Sequence, residues 1–180
     1  MTQLLFIPGS LRQASSSRAT IRSLADSLNG DCTSVVADPG LLPHFNSDVV
    51  DDAHVDAFRA DVEAADGVVF VTPEYNYSVP GLLKNAIDWA SRPSYGSVFF
   101  GKPCFVITVS AGALGGVRAQ GQLKYVLNGM LADVFATKEI VIPFSNKKVE
   151  DGLLADEGIL EFATAALRDF LVSIEGKPGS

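Results

Sequence analysis

The sequence lacks the long apolar segments that mark membrane and exported proteins. No apolar run reaches the about 18 residues that a membrane-spanning helix needs, and residues 1–8 have no basic start and only a short apolar stretch, unlike a signal peptide. We therefore expect a cytoplasmic protein with no membrane partner. Basic residues are also scarce: 14 Lys and Arg stand against 21 Asp and Glu, a net charge of −7. This charge opposes binding to nucleic acid or anionic lipid.

Cysteine and histidine, which bind transition metals and take part in catalysis, are few. The chain has two cysteines and two histidines, and Cys32 and Cys104 do not have the spacing of a metal or redox site. We expect both to be buried free thiols. The Walker glycine–lysine pattern and G-x-G-x-x-G are missing too, so the sequence predicts neither a nucleoside triphosphate site nor a Rossmann-type dinucleotide site.

Apolar residues, by contrast, are plentiful, at 47% of a chain of 180 residues. This length and composition predict one globular domain over residues 1–175, followed by a flexible tail over 176–180. Short β-branched runs alternate with stretches of helical periodicity. Strands are predicted at 3–7, 32–37, 67–72, 102–110 and 133–143, and helices at about 18–28, 53–62, 78–92, 117–131 and 156–174.

This alternation predicts an α/β fold with helices on both faces of a parallel sheet. Short connections and right-handed crossovers favour a flavodoxin-like, doubly wound, five-stranded sheet with the strand order 2-1-3-4-5. In such a sheet ligands bind beyond the carboxyl ends of the strands. The loops that follow the first, third and fourth strands are therefore the places to look for a site.

The first of these loops, residues 9–18, is rich in hydroxyl and guanidinium groups at the start of a helix. Its side chains include Ser10, Arg12, Ser15, Ser16 and Ser17. Free backbone N–H groups and the helix dipole favour an anion there, and an arginine can bind two phosphate oxygens. The alternative is an ordinary helix cap with a solvated polar loop. Because the serines and arginines exceed what a cap needs, we favour a site for a phosphate monoester.

The second loop follows the buried strand at 67–72 and contains Pro73, Glu74, Tyr75 and Asn76. Backbone groups, an amide and an aromatic ring at this position can border a flat ligand. Ser78 is predicted to cap the following helix. The third loop, residues 110–116, is rich in glycine and includes Ser110 and Gly112, which would let a ring lie close to the main chain. A plain turn remains the alternative for the third loop.

These three loops resemble the signatures of the NADPH-dependent FMN reductase family. Residues 9–17 resemble its G-S-L-R-x-x-S-x-N signature, the stretch P-E-Y-N-Y-S-V-P-G-L-L-K-N-A-I-D-W-A-S-R at 73–92 matches its second signature almost without change, and 110–120 resembles the third. The resemblance extends in order from residue 3 to about 175, and it is strongest to bacterial soluble quinone and chromate reductases.

The resemblance implies non-covalently bound FMN, with NAD(P)H as co-substrate and a quinone, flavin, azo compound or chromate as acceptor. It implies that the phosphate is held by Ser10, Arg12, Ser15, Ser16 and Ser17. It further implies that Pro73, Glu74, Tyr75 and Asn76 border the flavin ring and that Ser110 and Gly112 close its other side. No catalytic side chain or metal is expected, because the flavin supplies the chemistry.

Two alternatives remain open at this point: a flavodoxin-type electron carrier without NAD(P)H turnover, and a non-redox phosphoester- or nucleotide-binding protein. Apolar and aromatic residues from 89 to 100 suggest a surface for a homodimer or homotetramer.

Overall fold

Buried β-strands form the centre of the molecule, as the runs of Val, Ile, Leu and Phe predict. A computed structural model describes residues 1–94 and 96–176. The strands are β1 (Gln3–Pro8), β2 (Thr33–Val36), β3 (Gly67–Pro73), β4 (Pro103–Val109), β5 (Asp133–Val134), β6 (Ile140–Ile142), β7 (Val149–Glu150) and β8 (Leu153–Leu154). The α-helices are α1 (Ser16–Ser27), α2 (Ala53–Ala64), α3 (Gly81–Ala90), α4 (Val117–Gly129) and α5 (Glu157–Glu175). Short 3₁₀ turns cover Pro39–Leu41 and Ser145–Lys147.

The main sheet is parallel and has the order β2-β1-β3-β4-β5, which confirms the predicted flavodoxin-like topology. Alternate residues of each central strand face opposite layers. Leu4 and Phe6 pack with α1 and α5 on one face, whereas Leu5 and Ile7 pack with α2, α3 and α4 on the other. The helices therefore cover both faces of the sheet, as expected.

The single strand predicted at 133–143 is wrong: two short strands occupy that place. β5 pairs with the start of β4 at Pro103 and Cys104, and β6 pairs with its end, from Ile107 to Val109. Between them the ring of Phe135 packs against Phe105 and Phe170 at centroid distances of 6.0 and 5.4 Å. The backbone N–H of Phe135 still donates to the carbonyl oxygen of Cys104 at 2.9 Å, and pairing with β4 resumes at Ile140. An edge strand can be interrupted in this way because water can bind its unpaired groups.

The structure confirms the predicted cysteine environment but does not describe most of the predicted tail. Cys32 and Cys104 are free and buried, and burial raises the pKa of both thiols. Gly176 ends α5, and residues 177–180 of the predicted tail lie outside the described part of the chain. Within the described residues, no helix is both long and apolar enough to cross a membrane.

The carboxyl ends of four strands meet at one rim of the sheet. Pro8 lies opposite Val71 in the ladder, Pro73 opposite Val109, and Val109 opposite Ile142. Gly9 brings the first loop against β3, since a Cβ at this position would lie 2.0 Å from the Thr72 hydroxyl oxygen. The loops after β1, β3, β4 and β6 therefore open onto a common space.

Candidate functional site

A cleft of about 460 Å³ lies at this rim. It is lined by Ser10, Arg12, Ala14, Ser15, Ser16, Ser17, Pro73, Glu74, Tyr75, Val109, Ser110, Ala111, Ser145, Asn146 and Val149. The three loops singled out in the sequence therefore meet around one space. All of the predicted site residues line this cleft except Asn76 and Gly112.

The first loop ends in a well-formed helix cap that leaves donors free. Ser15 is the N-cap of α1, and its hydroxyl accepts from the backbone N–H of Arg18 at 3.2 Å. The Ser15 and Ser17 hydroxyls lie 3.2 Å apart, and both residues are buried. Ser16 and Ser17 are the first two residues of α1, and their backbone N–H groups have no acceptor among the described residues. An anion in the cleft would meet these N–H groups and the positive end of the helix dipole.

The two arginines of this loop have different environments. Arg18 donates to the carbonyl oxygen of Ser10 at 3.3 Å and lies 3.6 Å from Asp38, so its guanidinium is already used. Arg12 is exposed and lines the cleft, and its guanidinium has neither a hydrogen bond nor an ion pair to any residue in the described ranges. Arg12 is thus the guanidinium that can bind a ligand anion.

The second loop is a tight turn in a conformation that fixes its side chains. Tyr75 and Ser78 exchange both backbone hydrogen bonds at 3.0 Å, and the two central residues, Asn76 and Tyr77, have φ values of 49° and 67°. The turn places the Tyr75 hydroxyl 3.4 Å from the Ser10 hydroxyl, which links the first and second loops. Asn76 lies at the tip of the turn, and this explains why it does not line the cleft.

The prediction that Ser78 caps the following helix is wrong. Helix α3 begins at Gly81, and Pro80 is its N-cap, without a side-chain hydrogen bond. The backbone of Ser78 is used by the turn, and its hydroxyl donates to Oε1 of Gln122 on α4. Gln122 also donates to the carbonyl oxygen of Tyr77 at 3.1 Å. The turn is therefore attached to α4 rather than to the start of α3.

Glu74 caps α4 from outside that helix. Its carboxylate accepts from the backbone N–H groups of Arg118 at 3.0 Å and Ala119 at 3.3 Å. It also pairs with the Arg118 guanidinium at 3.2 Å, and that guanidinium lies 4.3 Å from the centre of the Tyr77 ring. Gly116, the N-cap residue of α4, has no side chain with which to cap the helix. The Glu74 charge is thus satisfied within the protein, which leaves Arg12 as the unpaired charge in the cleft lining.

The third loop is held by the segment that follows β6. The carbonyl oxygen of Ser110 accepts from the backbone N–H of Ser145 at 2.8 Å. The Ser110 hydroxyl accepts from the backbone N–H of Gly112 at 3.1 Å. The carbonyl oxygen of Gly112 accepts from the N–H of Phe144 at 3.1 Å. Gly112 therefore supports the loop from behind while Ser110 and Ala111 face the cleft.

The sequence analysis missed several lining residues: Ala14, Val109, Ala111, Ser145, Asn146 and Val149. Ser145 and Asn146 were detectable, because they are polar residues directly after the last predicted strand, at the rim where the other loops had been sought. Val149 was not. It belongs to the β7–β8 hairpin, which lies against α1 through a hydrogen bond from the backbone N–H of Leu154 to the Ser23 hydroxyl.

Comparison with known proteins fits this geometry. Residues 2–147 match the model of a protein family described as NADPH-dependent FMN reductase. The chain belongs to this family. A relative named quinone reductase, from Escherichia coli K12, is 37% identical over 179 residues, a span that covers 93% of each chain.

Solved structures agree with the family assignment. The flavoenzyme FerB, an NAD(P)H:(acceptor) oxidoreductase from Paracoccus denitrificans, is 32% identical, with a TM-score of 0.86 over 97% of this chain and 98% of that one. A flavodoxin from Pseudomonas aeruginosa is 15% identical with a TM-score of 0.60, over 95% of this chain and 99% of that one, and shares the fold.

The cofactor of this FMN reductase family member is FMN, and its electron donor is NAD(P)H. The residues present fit FMN in charge and shape. The Arg12 guanidinium and the free N–H groups of Ser16 and Ser17 are groups that can bind a phosphate, and Tyr75 and Ser110 line the same cleft. Within residues 1–94 and 96–176 there is no cluster of side chains that could hold a metal ion.

Proposed function

We propose that the protein is an FMN-dependent oxidoreductase that transfers hydride from NAD(P)H to quinones and other small acceptors. The observation that carries this proposal is the unpaired Arg12 guanidinium in a cleft that Tyr75 and Ser110 also line. Bound FMN supplies the redox chemistry, since it can accept a hydride and pass it on. The protein then has to bind the cofactor, orient it and leave one face open.

At the phosphate end, the proposed ligands are Arg12, the backbone N–H groups of Ser16 and Ser17, and the hydroxyls of the first loop. Ser10 has a double role, because its hydroxyl also accepts from the N–H of Arg12 at 3.3 Å and so shapes the loop. The Ser15 and Ser17 hydroxyls are hydrogen-bonded to each other at the start of α1. This end resembles other helix N-termini that bind phosphate groups.

At the ring end, Pro73 and Tyr75 border the flavin on one side, and Ser110 with Ala111 closes the other. Asn76 and Gly112 support these edges through the turn and the loop in which they lie. Glu74 acts as a positioning residue, since its carboxylate is bonded to α4. Because these loops are fixed by hydrogen bonds before the cofactor binds, little further ordering is needed on binding.

Quinone is the acceptor class we favour, because the Escherichia coli relative that covers most of this chain is named quinone reductase. Free flavin, azo compounds and chromate are further candidate acceptors. A flavodoxin-type carrier is less well supported, since similarity to the flavodoxin extends to the fold alone.

We further propose that residues 1–175 act as a single FMN-binding domain in the cytoplasm, where NAD(P)H is available, and that this domain forms a homodimer or homotetramer. Of the aromatic residues at 89–100, where an oligomer surface is expected, Trp89 and Phe99 are buried and Phe100 is exposed. Tyr95 lies outside the described residues. Tyr77 and Tyr125 are further exposed aromatic residues. Light scattering that shows a monomer would refute the proposed homodimer or homotetramer.

A steady-state assay tests the proposed activity. The FMN-loaded protein is mixed with NADPH or NADH and with a panel of quinone, free flavin, azo dye and chromate. We expect nicotinamide oxidation that depends on both FMN and quinone. A protein that takes up FMN but oxidises nicotinamide only when a separate reductase is added would instead be an electron carrier.

A further inference from the structure

The turn that follows β6 exposes an aromatic side chain in a strained backbone conformation. Phe144 has a φ of 50°, in the left-handed region that bulky residues rarely adopt. Phe144 is 45% exposed, so burial of the residue does not compensate for this strain. Strained residues of this kind are concentrated where a ligand is bound.

Hydrogen bonds fix this turn beside the ring end of the cleft. The backbone N–H of Phe144 donates to Gly112, and that of Ser145 donates to Ser110, at 3.1 and 2.8 Å. Ser145 and Asn146, the next residues, line the cleft itself. Phe144 therefore stands next to the place where the flavin ring is proposed to lie.

Lys147 adds an unpaired positive charge to the same turn. Its ammonium group lies 5.9 Å from the centre of the Phe144 ring, and it has no ion pair to any residue of the described chain. Neighbouring cations differ in this respect: Lys148 pairs with Asp156, and Arg118 pairs with Glu74. In a chain with a net charge of −7, a free cation on the residue next to Asn146, which lines the cleft, favours an anionic ligand.

We propose that the turn at residues 144–147 is a docking edge for the nicotinamide nucleotide. Lys147 pairs with one of its phosphate groups, and Phe144 offers an apolar face to one of its flat rings. This inference rests on the proposed function. Hydride transfer requires the nicotinamide to lie on the flavin ring, and the attached phosphates must then lie near the mouth of the cleft. Because Arg12 is assigned to the FMN phosphate, a second phosphate group needs a second cation, and Lys147 is that cation.

The test mixes the FMN-loaded Lys147→Gln protein rapidly with NADPH or NADH over a range of concentrations and follows the loss of the visible flavin absorbance. We expect the donor concentration that gives half the maximal rate of flavin reduction to rise about three- to ten-fold, because one charge-assisted contact is lost. The maximal rate and the FMN affinity should stay unchanged. Lys138→Gln is the matched control: Lys138 is exposed, lacks an ion pair among the described residues and precedes β6, at the opposite end of that strand from the cleft.

Comparison of three hydride donors identifies the phosphate group that Lys147 binds. A weaker interaction with NADPH alone indicates the 2′-phosphate, whereas equal weakening with NADPH, NADH and reduced nicotinamide mononucleotide indicates the phosphate next to the nicotinamide ribose. Unchanged half-saturation with all three overturns the proposal. If the unmodified protein itself is not bleached by any donor, the proposed function fails instead, so the two failures are distinguishable.

Phe144→Asn provides a second variant that should fold, because Asn tolerates the left-handed conformation. We expect weaker saturation by the donor without loss of FMN binding. Saturation equal to that of the unmodified protein would remove Phe144 from the docking edge.

Discussion

The carboxylate of Glu74, at the end of β3, lies 3.0 Å from the backbone nitrogen of Arg118 and 3.2 Å from its guanidinium, at the start of α4. This contact joins the loop that borders the cleft to a helix more than forty residues further along the chain. The same guanidinium lies over the Tyr77 ring, so Glu74 and Arg118 add to the hydrogen bonds with Gln122 that attach the turn to α4. Glu74, the acidic residue of the second signature, therefore fixes the loop that is proposed to border the flavin ring.

Replacing Glu74 should therefore affect both stability and cofactor affinity. Glu74→Ala removes the cap of α4, and we expect the free energy of unfolding to fall by about 1 to 2 kcal/mol. FMN affinity should fall as well, because the Tyr75 turn loses one of its attachments to α4. Glu74→Gln keeps an acceptor and should recover much of the stability. Glu161→Ala, at an exposed position on α5, is the control; equal effects at both sites in denaturant unfolding would contradict this role.

Arg12→Ala should weaken FMN far more than riboflavin. The guanidinium has no protein partner in the described chain, so its loss should cost binding energy rather than stability. A lost hydrogen-bonded charge pair corresponds to about a ten- to hundred-fold change in affinity. Titration of the apoprotein with both flavins, followed by flavin fluorescence, measures the difference. Arg168→Ala is the control, because Arg168 pairs with Asp31. An equal loss for FMN and riboflavin would move the phosphate away from Arg12.

Gly9→Ala should disturb the rim. The added Cβ would lie 2.0 Å from the Thr72 hydroxyl oxygen and 2.8 Å from the Thr72 Cα, so the backbone itself would have to shift. We expect a loss of about 1 to 3 kcal/mol in the free energy of unfolding, together with weaker FMN binding. At Gly81 a Cβ meets nothing within 4 Å, and Gly81→Ala should be neutral or stabilise α3 by up to about 1 kcal/mol. If the two variants unfold alike in denaturant, the close contact at Gly9 is unimportant.

Asp156 should give the protein a pH-dependent component of stability. Its hydrogen bonds from Lys148 and from the backbone N–H of Ile159 lower the pKa of the carboxyl below its usual value of 3.8. Because the folded-state pKa is lowered, the stabilisation is complete above the unfolded-state pKa and disappears as the pH falls through the folded-state value. Asp156→Ala should destabilise by about 1 kcal/mol at neutral pH. The difference should shrink in acid, and a difference that persists at low pH would contradict the assignment.

Much of this architecture could be read from the sequence, because local patterns determined it. The alternating apolar runs predicted the strand order, and the Ser/Arg loop and the proline-rich turn predicted most of the cleft. The break between β5 and β6 was not predictable from periodicity, because the apolar residues around Phe135 also fit a continuous strand, and its packing against Phe105 and Phe170 joins residues far apart in the chain.

The same limit applies to the roles of individual site residues. A sequence shows that Glu74 follows a strand but not that its carboxylate reaches the start of α4. It also gives no sign that the Ser78 backbone is used by a turn, which leaves α3 to begin at Gly81. Ser145 and Asn146 could have been predicted from their position after a strand, whereas the contact of Val149 depends on how the β7–β8 hairpin packs on α1.

The most direct test of the proposed function is anaerobic mixing of the FMN-loaded protein with NADPH and, separately, with NADH, followed by addition of a quinone. Bleaching of the visible flavin absorbance within seconds by at least one donor, and its full return on adding quinone, is the predicted result. A protein that binds no FMN, or whose bound flavin stays oxidised with both donors, would contradict the account.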